Sequence, residues 1–233
     1  MKHAKNIRRG VAGLAFAALA GSTFMTSTAG AAYVHDTHGK QTSSDRDHSG
    51  FTKIRIKGGF ELKLEAGKDF SVKIEGDEND VAEVETFVRN DTLVIDNSDD
   101  HDDDDGIHID SDNITVTVTM PTLEGFEVLG AVDAEMRGLK SEKLEVELKG
   151  AGAIEMEGTC GSLDIELKGA GEVDAEDLKC SDVEVDVKGV GEAKVFASES
   201  VDANVSGIGS ITVYGDPKTV RESDSWLGKI RIK

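Results

Sequence analysis

The densest set of oxygen ligands in this 233-residue chain lies between Asp96 and Asp112, and it includes Asp99, Asp100, His101, Asp102, Asp103, Asp104, Asp105 and His108. Hard cations such as Ca²⁺ take about six to eight oxygens of this kind, whereas the two imidazoles would suit a transition metal. Asp102, Asp104 and Gly106 match the opening of a calcium loop, but no glutamate stands where an EF-hand closes. The same residues also read as a solvated excursion between two strands, held extended by its own charge. No cofactor is required by any motif, and weak Ca²⁺ binding is the metal chemistry the tract would support. His35 and His38 pose the same question without a scaffold to orient them.

A second set of residues invites a phosphate-loop reading: Gly150 and Gly152, Gly169 and Gly171, Gly189 and Gly191, and Gly207 and Gly209 form four Gly-x-Gly runs. None of the runs opens a helix, and they recur, so they read as structural turns. A fifth, degenerate copy ends in Gly228, and the second glycines are spaced at 19, 20, 18 and 19 residues. Between them, apolar residues alternate with charged ones. Leu144, Val146 and Leu148 align with Leu163, Ile165 and Leu167, with Val183, Val185 and Val187, and with Val201, Ala203 and Val205. Residues two apart share one side of a strand, so each set gives one apolar face. Like residues stacked over like at this period predict a parallel β-helix. Trp226 stands where the first glycine of the last copy would be, and is expected to cap the open core.

Coil stacking gives the two cysteines a meaning. Cys160 and Cys180 each lie three residues before the first apolar residue of a strand, and so share one corner of successive coils. Coils about 4.8 Å apart bring Cα atoms within disulfide range, and an oxidising compartment lets the bond form. Two stacked thiols are the alternative. Outward positions stack as well: Glu145, Asp164, Glu184 and Asp202 form one column, Glu147, Glu166 and Asp186 a second, and Lys149, Lys168 and Lys188 a third.

The elements before the array are less regular. Lys2, Lys5, Arg8 and Arg9, an apolar run from Val11 to Ala20, and Ala29-Gly30-Ala31-Ala32 predict a cleaved Sec signal peptide over residues 1–31. Residues 32–50 read as a flexible linker, and 51–233 as one domain with the acidic loop 96–112 inserted. Strands are expected at 51–75, one short helix over Asp77 to Val88 from the spacing of Val81, Val84 and Val88, and strands again at Leu93 and Ile114. The mature chain is expected in the periplasm, at the cell surface or secreted, without a membrane span.

The formal net charge is −20, and it becomes −24 when the four basic residues of the signal are removed. Such a field excludes nucleic acid and anionic membrane surface as general partners and admits cations and basic surfaces.

From Phe51 to Leu64 with its Gly58-Gly59 turn, through Asp91-Thr92-Leu93-Val94-Ile95, to the coils ending in Tyr214-Gly215-Asp216-Pro217, the chain resembles the bacterial exported proteins of the auto-transporter adhesin, head GIN domain family. The resemblance covers residues 51–233. It implies an all-β, right-handed parallel β-helix shaped like the pectin lyases, with one short helix in its N-terminal part and no recognised catalytic set.

The function expected is a non-catalytic binding or adhesion-type module of the cell envelope, with an envelope protein or glycan as partner. Two alternatives stand beside it. A polysaccharide lyase or hydrolase on the same fold needs a carboxylate cluster with a basic residue, or paired carboxylates in a cleft. Arg137, Arg221 and Arg231 are the arginines inside the array. A periplasmic metal-binding or sensing protein would use the acidic tract.

Overall fold

The computed structural model describes residues 40–98 and 114–233. In chain order the elements are β1 (Gln41–Arg46), β2 (Lys53–Lys57), β3 (Gly59–Ala66), β4 (Ser71–Asp77), α1 (Glu78–Glu83), β5 (Glu85–Arg89), β6 (Thr92–Asp96), β7 (Thr115–Met120), β8 (Gly125–Val128), β9 (Ala131–Leu148), β10 (Ala151–Leu167), β11 (Ala170–Val187), β12 (Val190–Val205), β13 (Ile208–Tyr214), β14 (Thr219–Asp224) and β15 (Gly228–Ile232). The long strands β9 to β12 bend halfway. The first part of β9 pairs with β3, and its last residues pair with β8.

Two faces result. One runs β1-β4-β7-β3 and then through the first halves of β9 to β12 to β13 and β15. The other begins β5-β6-β2-β8 and continues through the second halves to β14. From β6 and β7 onward the pairing is parallel, so the chain forms a β-solenoid of about five turns. Between β9 and β13 the chain crosses one face, turns at Gly-x-Gly, crosses the other and turns at an opposite corner.

Period-2 alternation is what fills the interior. Leu144, Leu163, Val183 and Val201 lie in register on successive strands, as do Leu148, Leu167, Val187 and Val205, and all are buried. The opposite corner is filled by Leu139 and Leu178, which face each other across Gly158 and are fully buried. A Cβ on Gly158 would stand 2.2 Å from the Leu139 carbonyl oxygen, so glycine is required there.

Three expectations need correction. Residues 41–46, inside the expected linker, form an edge strand antiparallel to β4. Its sequence, Gln-Thr-Ser-Ser-Asp-Arg, shows no apolar side because its attachment is polar. Arg46 donates to the carbonyls of Val81 and Val84 at 3.2 and 3.4 Å, occupying acceptors at the end of α1. The helix is also shorter than its valine spacing implies: Val81 and Val84 are buried, but Val88 lies on β5, paired with Leu93. Pairing with β6 outweighs a short amphipathic signal.

Trp226 is the third correction, because it is 91% exposed and caps nothing. Gly207, which it follows by one coil, has room for no side chain: a Cβ there would meet the Gly189 oxygen at 2.0 Å. A residue with a Cβ cannot repeat that corner. The backbone instead swings out in a turn closed by the Gly228 N–H donating to the Ser225 carbonyl at 2.9 Å.

Candidate functional site

The glycine corner is built by close approach of successive coils. Cβ atoms on Gly150, Gly169, Gly189 and Gly207 would lie 1.6 to 2.0 Å from the carbonyl oxygens of Gly130, Gly150, Gly169 and Gly189 one coil back. Gly152, Gly171, Gly191 and Gly209 have the same constraint, at 1.8 to 1.9 Å. The space left free is used for hydrogen bonds. Ala151, Ala170, Val190 and Ile208 donate to the carbonyls of Gly130, Gly150, Gly169 and Gly189 at 2.8 to 3.0 Å. These N–H groups are spent between coils and cradle no phosphate.

The residue between each pair of glycines points outward, and these residues stack as Ala131, Ala151, Ala170, Val190 and Ile208. The column grows bulkier toward its C-terminal end. Val190 is 55% and Ile208 52% exposed, and the column ends there, since the register with β15 resumes only at Gly209 and Gly228. A contiguous apolar strip on the surface of a strongly acidic protein is the type of feature that marks an interaction site.

Beside this ridge runs a ladder of ion pairs. Glu127, Glu147, Glu166 and Asp186 are in register, and a lysine inserts between each consecutive pair. Lys149 reaches Glu127 at 2.7 Å and Glu147 at 2.9 Å, and Lys168 reaches Glu147 and Glu166 at 2.7 Å each. Lys188 joins Glu166 to Asp186. Arg55 starts the ladder at Glu127, and Asn204 ends it by donating to Asp186 at 2.6 Å. Bonds from Lys168 and Lys188 hold the Glu166 carboxyl down at about 2, and the same network raises Lys168, chiefly through Glu147. Burial works against ionisation of Glu127, but bonds from Lys149 and Arg55 outweigh it and keep that carboxyl low.

In the neighbouring column Asp164 behaves oppositely, whereas Glu145 is held low by Lys143. Asp164 stands between Glu145 and Glu184 with no lysine inserted, and burial, reinforced by the Glu145 charge, pushes its carboxyl up. Glu166 and Asp164 therefore respond to neutralisation with opposite sign. A depressed carboxyl stabilises the fold above its unfolded value near 4.5, and this contribution fades as pH falls toward about 2. Glu166→Gln is expected to cost about 1 kcal/mol at pH 7 after solvent screening, with the deficit shrinking below pH 4.5. A raised carboxyl costs stability once it is ionised. Asp164→Asn is expected to gain about 0.5 kcal/mol at pH 7 and nothing below pH 3.5. Urea unfolding midpoints at pH 7 and pH 3 check both; equal shifts for the two variants would contradict the ladder.

Cys160 and Cys180 form a disulfide with Cα atoms 4.5 Å apart, at the corner opposite the glycines. Sequence alignment places Ser198 next in this stack, but Ala197 is the residue in register with Cys180. The shift between Ala175 and Lys179 shortens the next coil, and the shift between Cys180 and Asp182 restores part of the loss. Ser198 instead donates to the Cys180 carbonyl at 3.4 Å.

The expected metal residues Asp99, Asp100, His101, Asp102, Asp103, Asp104, Asp105 and His108 lie outside the described residues. Their flanks are placed: β6 ends on one face and β7 begins on the other. Asp96, its first carboxylate, is engaged by Lys57 at 3.0 Å and by the Ser98 N–H at 3.0 Å. Asn97 closes the neighbouring corner by accepting from the Gly59 N–H at 3.0 Å. Among the described residues no three His, Cys, Asp or Glu side chains converge as a metal would require. No described helix is long and apolar enough to cross a membrane.

Comparison with known proteins agrees with this architecture. The crystal structure of a putative adhesin from Bacteroides fragilis is 27% identical, with a TM-score of 0.62, over 83% of this chain and 97% of that one. A putative lipid binding protein from Parabacteroides distasonis, 19% identical over 84% of this chain and 97% of its own, shares the fold with a TM-score of 0.52. Among curated proteins none matches. The family model described as "putative auto-transporter adhesin, head GIN domain" matches residues 50–217, which span β2 to β13 and the disulfide, and the chain belongs to that family.

Proposed function

We propose that the protein is a non-catalytic binding module of the cell envelope, exported with residues 1–31 removed, whose apolar ridge docks an envelope protein or glycan. The observation that carries this reading is the exposed end of the apolar column at Val190 and Ile208, near ion pairs that neutralise much of the local acid charge. A ridge of this kind contributes burial to a partner without exposing any strand interior. The membership of the family, whose members are described as adhesins, supports the class of activity.

Cosedimentation of the purified chain 32–233 with bacterial envelopes tests it. Val190→Asp with Ile208→Asp removes the apolar strip at exposed positions, so thermal unfolding is expected to stay unchanged while retention falls about tenfold. Pretreating the envelopes with protease or periodate separates protein from glycan. Undiminished retention of the double variant would place binding elsewhere on the molecule.

A further inference from the structure

The last coil ends in two strand edges of different character. On β14 the register places Glu222 beside Ala203 and Asp224 beside Val205, so charged residues occupy positions that are core in every earlier coil. Inward-facing charge blunts an edge against further pairing. β15 lacks this device. Its inward positions are Ile230 and Ile232, in register with the buried Ile211 and Val213, and Ile232 is 40% exposed. Its outward positions are Lys229 and Arg231, beside Ser210 and Thr212.

Charge tells what the edge fits. Residues 218–233 hold five basic and two acidic side chains in a protein of net charge −20. Among the described residues neither Lys229 nor Arg231 is in an ion pair, whereas Lys194, two coils back in the Arg231 column, is held by Glu172 at 2.6 Å and Asp174 at 3.0 Å. The protein thus already contains the pairing that β15 leaves open. An added strand patterned like Gly171-Glu172-Val173-Asp174-Ala175 would set its acids beside Lys229 and Arg231 and its apolar residues over Ile230 and Ile232. A second copy of β15 would instead oppose like charges.

We propose that the edge of β15, which no described strand covers, accepts an extended partner strand of alternating acidic and apolar residues, added as one further coil. This deepens the binding-module reading by naming the partner chemistry. Trp226, the only tryptophan and nearly fully exposed on the turn leading into β15, reports on it.

The probe is a labelled peptide copying residues 170–178, titrated into the full chain by fluorescence anisotropy with Trp226 emission followed in parallel. Saturable binding with a blue shift is expected, with no such binding by a scrambled peptide of the same composition. Lys229→Glu with Arg231→Glu should weaken binding about tenfold. Ile232→Asp, which copies the inward charge of β14 and keeps both cations, should weaken it comparably. Circular dichroism melts confirm that both variants fold. The proposal is overturned if the scrambled peptide binds equally, if Ile232→Asp binds like the parent, or if phosphatidylglycerol vesicles shift Trp226 while the peptide does not. Concentration-dependent self-association abolished by Ile232→Asp would equally overturn it, in favour of a second copy. Envelope cosedimentation of the parent chain distinguishes the two readings: no retention of the parent with peptide binding intact sinks the general one only, and retention of the parent without peptide binding sinks only this one.

Discussion

Gly169→Ala is expected to destabilise the protein by about 3 kcal/mol or more, while Val at the next residue, Ala170, changes stability by less than about 0.5 kcal/mol. The new Cβ on residue 169 would stand 1.7 Å from the Gly150 oxygen, far inside van der Waals contact. The obstruction is backbone, so no rotamer change relieves it. Spreading the two coils would break the hydrogen bonds from Ala170 to Gly150 and from Val190 to Gly169 and would propagate into both faces. At residue 170 the side chain points outward, and Val190 already occupies the same column one coil later. For a chain of this size the expected loss corresponds to a fall in Tm of about 6 to 12 °C. Thermal unfolding of the two variants checks the contrast. Equal melting of both would mean that the corner is not set by coil contact.

Removing the disulfide is expected to have a comparable effect. Cys160 and Cys180 close a loop with a sequence separation of 20, for which chain entropy in the unfolded state gives about 3 kcal/mol. Cys160→Ala with Cys180→Ala keeps an apolar corner at two buried positions, so the comparison isolates the cross-link. In a solenoid each coil is stabilised mainly by its neighbours, and the bond ties two central coils together. The oxidised parent should melt about 6 to 12 °C above the double variant, and alkylation of the native, unreduced protein should label neither cysteine. A coincident melting curve, or labelling of either thiol, would remove the bond from the account.

Much of this was legible because a solenoid writes its structure into local sequence. The glycine period, the parity of Leu144, Leu163, Val183 and Val201, and the matched offsets of Cys160 and Cys180 each report contacts that recur at nearly constant separation. A single strand's alternation shows which side is buried, and the repeat shows what it is buried against. The lysine and carboxylate columns were legible in the same way. Their mode of contact was not: the sequence places the lysines beside the acids, and only the side-chain reach of Lys149, Lys168 and Lys188 sets each between two coils.

The parts that escaped reading are those where the local pattern and the distant partner disagree. β1 carries no apolar residue on either side, since it is held by pairing with β4 and by Arg46 on the end of α1. Trp226 looked like a cap because aromatic residues suit open cores, but the corner it enters admits no Cβ. The order of the N-terminal coils was equally hidden. β2 pairs with β6 on one side and β8 on the other, and β3 with β7 and β9, so the coil formed first lies between two formed later.

By itself, then, the sequence determined the all-β class, the coil period, the inward residues and the corner that the two cysteines share, because those depend on spacing along the chain. Tertiary structure alone decided the threading of the N-terminal coils, the exposure of Trp226 and the contrast between the charged edge of β14 and the isoleucine edge of β15. Each of these depends on which strand arrives beside another and on what space the neighbouring backbone leaves, and neither is a property of a segment read alone. The Gly-x-Gly run, legible from the start as a turn, acquires its chemical meaning from the same source: its glycines are bare so that carbonyls of one coil can receive the N–H groups of the next.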